Sequence, residues 1–179
     1  MLQATIADQL EKVRFRMQQA EKKADKAANS VQLIAVSKTK PASDIEAAYN
    51  VGQRSFGENY VQEGIDKIHA LQQLEGLEWQ FIGQLQSNKT RDVAEHFHWV
   101  QSLHRLRIAT RLNNQRPEHL PPLQVLIQLN IDDEPSKAGI SLSELADFAK
   151  AVHALPRLKL RGLMLIPKAS PNPTEQAHT

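Results

Sequence analysis

The chain has 179 residues, 41% of them hydrophobic and 23% charged, which is the composition of an ordinary folded protein long enough to bury one substantial core. Lys and Arg (22) nearly balance Asp and Glu (20), and the net charge of +2 implies no nucleic-acid or membrane partner. With no cysteine there are no disulfides or thiolate metal sites, charge enters the N-terminal pattern from Asp8 onward, and no apolar run reaches membrane-spanning length, so the sequence predicts a soluble cytoplasmic protein.

A leading helix is predicted over 2–28, where Leu2, Ile6, Leu10, Val13 and Met17 form one apolar stripe ended by Asn29-Ser30. Next comes V-Q-L-I-A-V-S-K-T-K-P (31–41). Leu33 to Val36 reads as a short strand buried on both faces, and Pro41 stops it. Ser43-Asp44-Ile45-Glu46 has the form of a capping box opening a helix to residue 50, and Gly52 suits a left-handed cap. Lys38 therefore lies where a buried strand gives way to a βα-loop, the end at which parallel α/β folds bind ligands. A lysine half-withdrawn from water there favours the neutral, nucleophilic amine that aldehyde chemistry requires. Lys40 is a competing amine further out, and position alone also allows Lys38 to be a plain solvated charge.

Strands are further predicted over 54–57, 78–83, 97–102, 123–131 and 158–166, with helices over 60–73, 89–96, 104–115 and 141–155. His96 and His98 alternate at a strand start, but with no nearby third ligand the pattern is not assigned to a metal. Glu58 reads either as a proton acceptor or as a carboxylate favoured by a helix N-terminus. Strict alternation of strand and helix after one leading helix means a parallel sheet with right-handed crossovers. An open doubly wound sheet and a barrel both satisfy this, and the glycine-rich nucleotide signatures are absent. A complete barrel takes about 250 residues, so the chain corresponds to six of eight strands. A single partial barrel domain over 1–167, with its leading helix, is expected, followed by a disordered tail over 168–179.

The segments A-V-S-K-T-K-P (35–41), F-G-E-N-Y-V-Q-E (56–63), F-I-G-Q-L-Q-S-N-K (81–89), S-K-A-G-I (136–140) and L-R-G-L-M (160–164) fall in order at strand ends. Together they resemble the YggS/PROSC family, the pyridoxal phosphate homeostasis proteins, from the first helix to about Pro167. The resemblance implies a TIM-type (β/α) barrel of the alanine racemase N-terminal type. It also implies a non-catalytic protein that carries pyridoxal 5′-phosphate as an internal aldimine and could deliver it to apoenzymes. Lys38 matches the Schiff-base lysine, and Asn59 matches a position facing the cofactor ring. Ile82 and Met164 fall where an apolar side chain packs on the ring, or equally belongs to barrel core. Lys137 is a second amine able to receive or relay the cofactor. Gln80 stands where many relatives have histidine.

The family continues past the sixth strand with two further strands, a serine-rich S-x-G-M-S stretch and an R-x-G-x-x-x-F-G stretch, none of which is present here. Weak retention of the phosphate and self-association through exposed barrel edges are the expectations that follow. The rival readings are a racemase- or decarboxylase-like enzyme on the same barrel and a truncated fragment that no longer holds the cofactor.

Overall fold

The computed structural model describes residues 4–131 and 138–166. Helix α1 (Ile6–Lys23) opens on a capping box, in which Thr5 Oγ1 accepts from Asp8 N–H and the Asp8 carboxylate accepts from Thr5 N–H. It ends five residues before the expected position because the backbone turns left-handed at Asp25 (φ 51) and Asn29 (φ 59). The Glu21 carboxylate holds that turn, accepting from the N–H groups of Asn29 and Val31 and from Ser30 Oγ. Strand β1 is only Ala35–Val36, and Val36 is 53% exposed, so the strand is not buried on both faces as its apolar run suggested. The cross-strand partner of Val36 is Gly57, which offers no side chain to cover it.

Helix α2 (Ala42–Asn50) is capped by Pro41 without a side-chain bond. The helix thus begins one residue before Ser43, and the Ser43–Glu46 box is not made. Gly52 takes the left-handed conformation expected of it (φ 86). There follow β2 (Ser55–Glu58), α3 (Val61–Ala70), β3 (Glu78–Phe81), a 3₁₀ turn at Ser87–Lys89, α4 (Thr90–His96), β4 (Trp99–Leu103) and α5 (Leu106–Gln115). The described chain closes with β5 (Leu123–Leu129), a 3₁₀ turn at Leu142–Glu144 capped by the predicted Ser141–Glu144 box, α6 (Leu145–His153) and β6 (Leu158–Leu165). The expected tail over 168–179 lies outside the described residues.

All six strands are parallel, and their spatial order β1-β2-β3-β4-β5-β6 is their sequence order. A doubly wound sheet reverses its strand order at a switch point, whereas a (β/α) barrel does not. The fold is therefore a partial barrel of six strands. On the helix side, Phe56, Phe81, Val100 and Val125 pack against Ile45, Val93, Ala94, Leu112 and Val152 in one core, with Phe81 and Phe97 edge to face at 5.5 Å. Each fully buried Phe, Ile, Leu or Val among these contributes about 1.5–3 kcal/mol. The opposite face of β2–β4 is polar. Glu78 accepts from Trp99 Nε1 (2.7 Å), Ser55 Oγ and Gln80 Nε2, and Gln101 donates to Gln80.

Candidate functional site

The register places the candidate residues. Val36 pairs with Gly57 and Gly57 with Gln80, and the positions two residues further on, Lys38, Asn59 and Ile82, form a row just past the ends of β1, β2 and β3. Ile82 continues the strand alternation and lies over Gly57, on the face away from the helices. Two backbone bonds extend the ladders towards this row, Ser37 N–H to Gly57 C=O (3.0 Å) and Ile82 N–H to Glu58 C=O (2.9 Å). Gly83 permits the approach, since a Cβ there would collide with the Asn59 carbonyl oxygen and lie 2.8 Å from Asn59 Cα.

Lys38 is exposed rather than half-withdrawn, and its side chain makes no hydrogen bond or ion pair among the described residues. Asn59 is half-buried, and its Oδ1 is sealed from solvent without a partner among the described residues. A buried amide oxygen without a donor carries a desolvation cost that a bound ligand can relieve. A cavity of about 460 Å³ opens beside it, lined by Asn59, Tyr60, Phe81, Gly83, Gln84 and Lys89 among others. Ile82 is half-buried and packs over Gly57, where an added Cβ would lie 3.0 Å from Ile82 Cδ1. It thus already fills space in the layer below the row. Met164 pairs with Gln128 on β6, the far edge strand, and the sheet does not make it a neighbour of the Lys38 row. Lys137 lies outside the described residues.

Behind the row is a buried ionic cluster that the sequence reading did not anticipate. Glu58, 0% exposed, accepts from Ser37 Oγ (2.6 Å) and Lys67 Nζ (2.8 Å) through Oε1, while its Oε2 has no partner among the described residues. It is neither a helix-terminus carboxylate nor open to solvent. Lys67 also donates to the Ser37 carbonyl and to Glu63 Oε1, both at 2.6 Å. Glu63 in turn accepts from Thr39 N–H at 2.5 Å. The Lys67 hydrogen bond holds the Glu63 carboxyl below its ordinary 4.5, helped by the Thr39 bond and opposed by desolvation. The Glu63–Lys67 spacing of four on a helix was the one readable trace of this cluster.

The two histidines do not share a strand face. His96 ends α4, with Nδ1 2.8 Å from the Asp92 carbonyl, and His98 Nδ1 accepts from Trp79 N–H (2.9 Å). Among the described residues no cluster of His, Cys, Asp or Glu is placed to hold a metal, and no helix is long and apolar enough to cross a membrane.

The model of the alanine racemase N-terminal domain family matches residues 9–179, in keeping with the partial barrel. Within it the chain belongs to the family of the pyridoxal phosphate homeostasis proteins. It is 60% identical to the protein of that name from Escherichia coli K12, over 90% of this chain and 70% of that one. The Haemophilus influenzae protein of the same name is 54% identical, over 96% and 73%. Among solved structures, PipY of Synechococcus elongatus, determined with PLP bound, superposes with a TM-score of 0.82 at 36% identity, covering 97% of this chain and 76% of that one. Alanine racemase from Clostridium difficile, at 13% identity and a TM-score of 0.67, shares the fold.

Proposed function

We propose that the protein binds pyridoxal 5′-phosphate with Lys38 as its covalent anchor, and acts in the cytoplasm as a carrier that supplies the cofactor to apoenzymes rather than as a catalyst. The observation that carries this reading is at the strand ends: a lysine amine unpaired among the described residues just past β1 and, just past the neighbouring β2, a buried amide oxygen that lacks a donor. The names of the relatives and the PLP-bound state of PipY support it. The residues present fit the group. Lys38 supplies the amine, Asn59 a polar partner for the ring substituents, and Ile82 an apolar surface in the same row. When bound, the cofactor supplies an aldehyde, whose carbonyl oxygen leaves as water as the lysine nitrogen bonds to its carbon. The exposure of Lys38 suits a carrier, since a lysine that must later release its cargo to another protein has to be reachable. Self-association through the sheet edges and a relay by Lys137 belong to the same reading.

The test is to mix the purified protein with pyridoxal 5′-phosphate, reduce with borohydride, and map the modified lysine by mass spectrometry. Near-stoichiometric label on Lys38, lost in Lys38→Ala, is expected. Label scattered over Lys40, Lys89 and Lys137, or none at all, would overturn the proposal.

A further inference from the structure

Lys38 is the second residue of a tight turn in which Lys40 N–H donates to the Ser37 carbonyl (3.1 Å). The third residue, Thr39, has φ 61. Positive φ at that position marks the type II turn, and glycine or asparagine normally occupies it. A β-branched residue there is strained and persists only where its surroundings hold it. Here the hold is visible, because both flanks of Lys38 are gripped through the main chain. Lys67 Nζ takes the Ser37 carbonyl and Glu63 Oε1 takes Thr39 N–H. The three donors of the Lys67 ammonium are all used, on Ser37 O, Glu58 Oε1 and Glu63 Oε1. Every member of the cluster thus converges on the segment carrying Lys38, and none touches its side chain. A buried ionic cluster of this kind is weak evidence for stability alone.

We infer that Glu63, braced by Lys67 and Glu58, is a positioning residue. It holds the Thr39 peptide in the left-handed turn and so sets the direction in which the Lys38 side chain leaves the end of β1. The inference rests on the reading of Lys38 as the cofactor lysine. Without the Glu63 carboxylate, Thr39 relaxes to negative φ and the turn re-aims Lys38, while the amine itself is untouched.

The experiment is borohydride trapping of pyridoxal 5′-phosphate on the full chain, following label at Lys38 and Lys40 over time, below the melting temperature of each variant. Glu63→Ala introduces a strong helix former on a helix and is expected to fold. It should lower the Lys38-to-Lys40 label ratio about tenfold, the order set by releasing one strained residue. Glu63→Gln keeps an acceptor for Thr39 N–H and should fall between wild type and Glu63→Ala. Adding Thr39→Gly to Glu63→Ala should restore the ratio, because glycine takes positive φ without being held. A purely structural role would lower the melting temperature without redistributing label. A Glu63→Ala ratio equal to wild type, or no recovery on adding Thr39→Gly, overturns the inference. Wild-type protein with no preference for Lys38 instead overturns the underlying assignment, and the wild-type sample alone reveals that case.

Discussion

Asn59 Oδ1 is buried without a donor, and its side chain makes no hydrogen bond among the described residues. Such an atom costs the ligand-free fold something and returns nothing until a ligand donor arrives. Asn59→Ala should therefore weaken pyridoxal 5′-phosphate binding about tenfold while leaving the stability of the free protein within about 0.5 kcal/mol, or slightly raised. Equilibrium titration by cofactor absorbance and thermal melting check the two halves separately. A melting temperature that falls as far as binding does would make Asn59 a framework residue instead. Lys38 and Asn59 could be proposed from the sequence because strand-end position and motif coincide at them. Lys67, Glu63 and Ser37 were not, because a long side chain reaching under a loop leaves only a helical spacing of four, which most exposed ion pairs share.

Element positions were legible wherever an apolar period and a strong stop agreed, as in β5 and α5. Boundaries shifted where a particular polar contact outweighed propensity. Glu21 cuts α1 short by holding the Asn29–Val31 turn, and Pro41 starts α2 one residue before its apparent capping box. A contact of the same kind makes the junction between β3 and β4 sensitive to pH. His98 Nδ1 must be unprotonated to accept from Trp79 N–H, and burial pushes the imidazole below its ordinary 6.5, with nearby Arg116 adding to this and Glu78 opposing it. The unfolded chain then binds more protons than the folded one as pH falls below about 6.5, so stability rises with pH in that window. The full contribution is present above the unfolded value and is lost as pH drops through the depressed folded one. Denaturant melts at pH 7.5 and pH 5 should show a loss in wild type that shrinks in His98→Asn, which keeps an acceptor near Nδ1 and does not titrate. An equal loss in the variant would move the pH dependence elsewhere.

Across the whole molecule, six parallel strands in sequence order leave two edges among the described residues, and the two are unlike. The β1 edge is two residues long, too short to template much pairing. The β6 edge is eight residues long, and Leu163, Leu165 and Ile166 along it are 46%, 45% and 57% exposed. A long apolar edge strand is a surface that natural proteins normally shorten, charge or cover. The self-association proposed above would use this edge, with a second copy of this chain docked on β6, because one self-complementary patch on each copy closes a two-fold pair. Sedimentation velocity over a hundredfold range of protein concentration should show a shift from monomer to dimer. Leu163→Lys with Leu165→Lys places like charges on both copies of the patch and should move the midpoint at least tenfold higher in concentration. Cofactor trapping at Lys38 should persist in that variant, because β6 lies at the opposite edge from the Lys38 row. Concentration-independent sedimentation of the wild type as a monomer would rule out the β6 contact. Loss of Lys38 labelling together with dimerisation would instead mean that the partner copy completes the site.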